Sequence, residues 1–344
     1  MLAISKFKHI PHNRLSLGSE EKCAAERVLT SGWIAQGVEV ENFEDEFCDF
    51  LGIPRGLAVA VSSGTAALYL ALLSLEANDK TVAMPAYTCT ALRNATAMAG
   101  GYEQFIDSSF DTPNMRLSQI HSSSSEITII PHMYGIPQAI LATSSFVIED
   151  CAQSLGATVN DEPVGLQGDI GIFSFYATKL ITSGGQGGMI VTTSPSIIEF
   201  LKDYRTFDQK YDGKRRFNFQ MTDIQAAIGR VQLRKLPAFL KRRAEIYDRY
   251  KEAQLPLLDS KAEGIVPVRY RAMLRTTKQK EILLALDKVN VKATIPLQSH
   301  ELLGAIEQFP VAFQWTQNIV SLPIYPTLSD EDVERITAAV LSCL

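Results

Sequence analysis

At 344 residues, 46% of them hydrophobic and 21% charged, the chain has the make-up of a globular protein with one large core or two ordinary ones. A formal net charge of −5 gives no electrostatic reason to bind nucleic acid or an anionic membrane. No apolar run is long enough for a membrane span, and the opening MLAISKFKHIPHNRL lacks the apolar stretch of a secretory leader.

An extended IPHNRLSLG leads into a helix predicted over 19–30, with Ser19 as its N-cap. A second amphipathic helix, over 38–51, carries Phe43, Phe47 and Phe50 at a spacing that suits a core. The run Leu57 to Val61, the tight Ser62-Ser63-Gly64-Thr65 and the apolar AALYLALLSL read as strand, turn and helix. Such a turn sets free N–H groups and hydroxyls at a helix N-terminus, where the dipole favours an anion such as phosphate. An ordinary capped strand-to-helix turn would look the same.

From Thr81 onward, TVAMPAYT, TALRNATAMAG, GYEQFID, ITIIPHMYG and SFVIEDCAQSLGA alternate strand and helix, the pattern of a mostly parallel sheet covered on both faces. Polar residues at the C-terminal ends of such strands face the binding crevice. Asp150 is therefore either a site residue or the N-cap of the segment after it. The patch His121 to Ser125 reads as a surface loop.

Residues 168–188, GDIGIFSFYATKLITSGGQGG, join an apolar strand (Ile170 to Phe175) to hydroxyls at Ser174 and Thr178, one Lys179 and a glycine run. Burying an ammonium is costly unless something compensates. Lys179 is then either a nucleophile toward a carbonyl, or a lysine that snorkels to water at a strand end.

A strand over 189–192 and a helix over 194–205 follow, then a loop over 206–218 rich in charge and glycine. A long helix is predicted over 223–250, with Pro237 expected to kink or split it. Beyond Pro256 the elements shorten: VPVRYRAML, a helix over 278–289, VKATIPL, a helix near Leu302 and a last helix opened by Ser329-Asp330-Glu331-Asp332. The expected organisation is a large domain over 1–240 and a smaller one over 241–344. Cys23, Cys48, Cys89, Cys151 and Cys343 are scattered and odd in number, which argues for a reducing, cytoplasmic setting. Neither they nor the five histidines form a metal-binding pattern, so no metal is expected.

A phosphate-cradling turn, a strand-end acid and a nucleophilic lysine in one α/β domain are what pyridoxal 5′-phosphate asks of a protein. With SGWIAQGVEVENFEDEF, AVSSGTAALYLAL, MPAYTCTALRNA, PHMYG, IEDCAQSLGA, GDIGIFSFYATK, FNFQMTDIQAAIGRVQL and SLPIYPTLSDEDV in that order, the chain resembles the DegT/StrS family of PLP-dependent aminotransferases over nearly its whole length. The resemblance implies the α/β fold-type I architecture, a large domain with a mostly parallel central sheet flanked by helices plus a smaller C-terminal α/β domain. It implies Lys179 as the residue that links the cofactor and moves the α-proton, and Asp150 at the pyridine nitrogen. Gln153 would bond O3′, while Ser174, Gly64 and Thr65 would hold the phosphate. Asn218 would reach the phosphate of the neighbouring subunit, so the implied assembly is a homodimer with shared sites.

The implied reaction is a ping-pong transfer from an amino acid, glutamate expected, to a nucleotide-linked keto-sugar in lipopolysaccharide or polysaccharide biosynthesis. Lys179 separates the chain from the family's dehydratase branch, where histidine replaces the lysine. An aminotransferase for a non-sugar carbonyl and a non-catalytic regulator of the same fold are the alternatives, the second disfavoured by the Lys179 and Asp150 pair. The chain departs from the family's pattern at several positions. Gly184-Gly185-Gln186-Gly187-Gly188 is one residue longer than the usual Gly-Glu-Gly-Gly and lacks its acid. Gln220 stands where an arginine is common, an arginine that would hold the donor's carboxylate or the acceptor's phosphates. Cys89 takes the place of a stacking aromatic, with Tyr87 two residues earlier as a substitute or as core. His300 is a candidate for a family histidine near the acceptor sugar.

Overall fold

A computed structural model describes residues 8–122, 124–140 and 143–344; the leader reading over the first seven residues and Ser123 of the serine patch lie outside them. The elements are, in order, α1 (Ser19–Ser31), α2 (Val38–Leu51), β1 (Ala58–Val61), α3 (Gly64–Ser74), β2 (Thr81–Pro85), α4 (Ala91–Met98), β3 (Tyr102–Ile106), α5 (Leu117–Ser122), β4 (Ile127–Pro131), β5 (Phe146–Asp150), β6 (Thr158–Val159), β7 (Glu162–Pro163), β8 (Ile170–Ser174), β9 (Gly188–Val191), α6 (Pro195–Arg205), α7 (Asp223–Glu252), β10 (Ile265–Val266), β11 (Ala272–Arg275), α8 (Gln279–Lys288), α9 (Pro310–Gln317), β12 (Ile319–Leu322) and α10 (Asp330–Leu341).

Seven strands form the central sheet in the order β1-β9-β8-β5-β4-β2-β3, and only β9 runs against its neighbours. The expected mostly parallel sheet is therefore present, and the fold is α/β. Strand alternation divides the core in two. Val59, Val61, Ile127, Ile129, Ile148, Ile170, Ile172 and Ile190 pack with α3, α4 and α6 on one face. Ala58, Ala60, Phe173 and Met189 pack with α2 and α7 on the other. The phenylalanines of α2 are core, as their spacing suggested. Phe47 is fully buried, 4.9 Å from the Phe173 ring, and Phe43 lies 5.1 Å from Phe175. Burial on this scale is worth about 2–3 kcal/mol for each large apolar side chain.

Three local expectations change. The N-cap of α1 is Gly18 rather than Ser19, its N–H donating to Glu21 Oε2 at 2.7 Å. Helix α7 runs unbroken for 30 residues through Pro237, opened by Thr222, whose hydroxyl accepts from Gln225 N–H. The proline removes one ladder bond, and packing of both flanking turns outweighs that loss. Near Leu302 there are two 3₁₀ turns, Ser299–Glu301 and Ile306–Gln308, ahead of α9. Of the serine patch, Ser124 is exposed while Ser125 is buried, its Oγ 3.2 Å from Thr128 Oγ1.

Beyond α7 the antiparallel pair β11 and β12 packs with α8 and α10 around Ile246, Tyr247, Tyr250, Leu274 and Ile336. The N-terminal segment joins this cluster through Ile10, which is bonded to Asn290 and Lys292 by backbone hydrogen bonds. Residues 12–16 are thereby carried past the C-terminal ends of the central strands. No helix among the described residues is long and apolar enough to cross a membrane.

Candidate active site

The floor of the site is the β1–α3 turn. Ser63 caps α3, its hydroxyl accepting from Ala66 N–H at 3.1 Å, while the N–H groups of Gly64 and Thr65 have no acceptor within the helix. Ser174 ends β8 directly opposite. A Cβ at Gly64 would stand 2.8 Å from Ser174 Cβ, and one at Gly188 only 2.4 Å from the Ser63 carbonyl oxygen. The two elements can come this close only because both positions are glycine.

Lys179 is not on the strand itself. It lies half-buried in the turn after β8, its N–H bonded to the Tyr176 carbonyl at 2.9 Å. The strand-end burial expected for it is thus replaced by a loop folded onto itself. Ala177 N–H donates to Gly185 O, Ser183 N–H to Phe175 O, and Gly185 N–H to Thr182 Oγ1. Gly185, at φ +122°, adopts a backbone that only glycine takes readily. The Lys179 ammonium lies 5.6 Å from the centroid of the Tyr270 ring, which comes from the segment before β11.

Asp150 ends β5 and is 7% exposed. Its Oδ1 accepts from Ala152 N–H at 3.0 Å, so it caps a turn and no helix follows. Burial raises its carboxyl above the usual range, against the Ala152 N–H bond and the pull of the Lys179 charge. The strand beneath it is anchored by Glu149, whose carboxylate accepts from His132, Gly165, Gln167 and Gly168. Gln153 Oε1 accepts from Tyr134 N–H at 2.8 Å, which leaves the amide NH2 as a donor. Tyr134 holds φ at +60° and shares a 2.8 Å hydroxyl contact with Tyr87. Tyr87 is fully buried in that pairing and belongs to the core.

One buried group of potential metal ligands occurs among the described residues, His132, Glu149 and Cys151. Its donors are already engaged, since Glu149 holds four hydrogen bonds and His132 Nδ1 accepts from Gln138 N–H.

A cleft of about 190 Å³ brings together Ser63, Gly64, Thr65, Asp150, Ser174 and Lys179, with Cys89, Tyr176 and Gln186 completing its wall. Asn218 is exposed on the loop before α7, its Oδ1 accepting from Gln220 N–H, and is not part of this wall. Gln220 turns back to the Arg205 carbonyl, and His300 is exposed on a 3₁₀ turn. Tyr270 and Arg271 escaped the sequence reading: VPVRYRAML looks like any short strand, and nothing local marks its approach to a lysine some 90 positions earlier. Free amides and hydroxyls at a helix N-terminus suit a phosphate monoester, and an acid and a lysine in the same cleft complete a cradle for pyridoxal 5′-phosphate.

The comparisons agree. Residues 16–341 match the DegT/DnrJ/EryC1/StrS aminotransferase family. The chain is 30% identical to the GDP-perosamine synthase of Escherichia coli O157:H7, over 97% of this chain and 98% of that protein. It is also 30% identical to the spore coat polysaccharide biosynthesis protein SpsC of Bacillus subtilis, over 98% of both. Among solved structures it is similar to DesV of S. venezuelae in complex with a ketimine intermediate, at 27% identity and a TM-score of 0.86 over 94% of each chain. The chain thus belongs to the DegT/DnrJ/EryC1/StrS aminotransferase family, with the fold-type I architecture and pyridoxal 5′-phosphate as its cofactor.

Proposed function

We propose that this aminotransferase moves an amino group from an amino acid, glutamate in the first instance, to a nucleotide-linked keto-sugar by a ping-pong cycle. The observation that carries the reading is the single cleft in which Lys179, Asp150 and the Ser63-Gly64-Thr65 turn converge. The similarity to a GDP-perosamine synthase and to a spore coat polysaccharide protein supports a sugar acceptor, and the first of those names a nucleotide-linked product.

Bound pyridoxal 5′-phosphate supplies the electron sink. The chain supplies the rest. Gly64, Thr65 and Ser174 would hold the phosphate, the Gln153 amide NH2 would donate to O3′, and Asp150 would keep a proton on the pyridine nitrogen. Lys179 Nζ would hold the cofactor covalently and would carry the proton at the substrate's α-carbon. Asn218, exposed on its loop, completes the phosphate site of a second copy, so the working unit is a homodimer. A large unit over 1–240 and a smaller one over 241–344 belong to the same reading, supported by the cluster around Ile246, Leu274 and Ile336, whose one fully buried member from the first 240 residues is Ile10. Five free cysteines support a cytoplasmic setting.

The test is chemical. Purified protein is expected to be yellow and to lose its visible absorbance on borohydride reduction, with the adduct mapped by mass spectrometry to Lys179. Glutamate alone should then convert the cofactor stoichiometrically, and a keto-sugar nucleotide should restore it. An adduct on another lysine removes Lys179 from its role; conversion by glutamate without restoration by any UDP-, dTDP- or GDP-linked keto-sugar removes the acceptor class.

A further inference from the structure

Beside the cleft lies a second, smaller cavity of about 70 Å³, lined by His12, Asn13, Thr178, Tyr270, Arg271 and Ile324. It adjoins the lysine, because Thr178 precedes Lys179 and Tyr270 lies under the Lys179 ammonium. Among the described residues its only formally charged wall is the Arg271 guanidinium. Two neighbouring cations are occupied: Arg269 is paired with Asp259 at 2.6 Å, and Arg243 donates to three backbone carbonyls. Arg271 instead bonds two neutral groups, His12 Nε2 at 3.1 Å and Ser321 Oγ at 3.3 Å, and no carboxylate among the described residues comes within 4 Å of it. The planar fork of such a half-buried guanidinium matches a carboxylate.

We propose that Arg271 binds the α-carboxylate of the amino donor, an inference that rests on the reading of the site as an aminotransferase's. Three observations favour this occupant. The cavity holds about two water volumes, which is room for a carboxylate beside the guanidinium. Gln220, where the family resemblance calls for an arginine, points to the Arg205 carbonyl, so that cation is missing from its place. The carboxylate of an amino acid also lies one atom from the carbon that bears the amine, and Arg271 and Lys179 share one aromatic ring, 5.3 and 5.6 Å from its centroid. Field and burial agree. His12 is pushed down to about 3, by burial first and then by Arg271 and Lys292, so it is neutral and accepts from the guanidinium, holding it toward the cavity. An anion there would relieve the excess positive charge.

The experiment titrates glutarate, a dicarboxylate with no amine to transfer, into the holoenzyme by calorimetry. Arg271→Gln is expected to weaken glutarate binding by about tenfold or more, and Arg271→Lys by less, the loss of one charge-assisted pair. An unchanged Kd in Arg271→Gln overturns the proposal, as does a wild-type holoenzyme that does not bind glutarate. A second measurement needs no variant. Phenylglyoxal modification of wild-type Arg271, followed by peptide mass mapping, should be suppressed by glutarate; equal labelling with and without it also overturns the proposal. Neither readout depends on turnover. If glutamate leaves the wild-type cofactor spectrum unchanged while Arg271 still binds glutarate, it is the reading of glutamate as the donor that fails.

Discussion

His132 Nε2 lies 3.0 Å from Glu149 Oε2, and neither side chain is exposed at all. Glu149 is one residue before Asp150, and the pair bonds the residue that follows β4 to the strand that presents the acid. His132 Nδ1 accepts a backbone N–H, so Nε2 carries the proton and donates to the carboxylate. Burial opposes the charge on Glu149, yet the His132 bond and three backbone N–H donors overcome it and hold its carboxyl below the usual range.

The consequence is a pH dependence. A glutamate whose folded pKa is depressed contributes stability that is complete above its ordinary range and is lost as pH falls through its folded value. Glu149→Gln leaves N–H donors facing an amide NH2. It is expected to cost about 3 kcal/mol at pH 7 and to flatten the acid limb of the stability curve. Denaturant melts from pH 3 to pH 8 check both; equal acid limbs in the two proteins would count against the assignment.

Gly64→Ala tests the phosphate cup. Its Cβ would press on Ser174 at 2.8 Å and spread the β1–α3 turn from β8. Overpacking of this kind costs about 1–3 kcal/mol, so cofactor affinity is expected to fall by roughly tenfold to a hundredfold while the fold persists. Absorbance titration of the cofactor-free protein with pyridoxal 5′-phosphate measures it.

Arg243 carries a different kind of load. It is 3% exposed, its charge is opposed by burial to a value of about 10, and it donates to the carbonyls of Arg269, Tyr270 and Ile324. Those bonds set the backbone that places Tyr270 under Lys179. Arg243→Met should cost about 3 kcal/mol by leaving buried carbonyls unpaired. A melt, read beside the cofactor's visible spectrum, gives both the stability loss and any change around Lys179.

What could be read beforehand follows from where the information lies along the chain. The strand-turn-helix at Val61 to Thr65 and the acid at the end of β5 are local patterns, each legible from a dozen residues. The course of Lys179 was not, because its loop is set by backbone bonds to Gly185 and Phe175, which apolar periodicity does not encode. Pro237 does not split α7 for a related reason: its propensity cost is local, whereas the packing that keeps the helix whole comes from α1, α2 and the C-terminal cluster. Arg271 and His12, 259 positions apart, meet only once β11 and the N-terminal segment are in place.

Shared sites make a prediction about mixtures. If Asn218 completes the phosphate site of a second copy, Lys179→Ala and Asn218→Asp proteins, each inactive alone, should regain activity after subunit exchange, because one site of the mixed dimer carries neither lesion. About a quarter of wild-type activity is the ceiling for random exchange of equal amounts with one intact site per mixed dimer. Absence of recovery after exchange confirmed by mass spectrometry would place Asn218 outside the site.

Asp150 separates mechanism from architecture. Burial raises its carboxyl, so in the cofactor-free protein ionising it costs stability, and that cost grows as pH rises through its folded value. A protonated pyridine nitrogen would reverse the balance by giving the carboxylate a cation. Asp150→Asn keeps the shape and the Ala152 N–H bond and removes only the charge. The cofactor-free variant is therefore expected to melt at or above the wild-type temperature at pH 7, with its margin shrinking as pH is lowered. The cofactor should still bind, since Lys179, Ser174 and the α3 amides are untouched, but the nitrogen would no longer be held protonated. Both half-reactions are then expected to slow by about a thousandfold, the scale of losing one preorganised electrostatic group. A residue that merely capped the turn would give the opposite pair of results, a lower melt and near-normal turnover. Stopped-flow measurement of the glutamate half-reaction beside melts at pH 5 and pH 8 distinguishes them, and a variant that reacts at close to the wild-type rate would remove Asp150 from the chemistry.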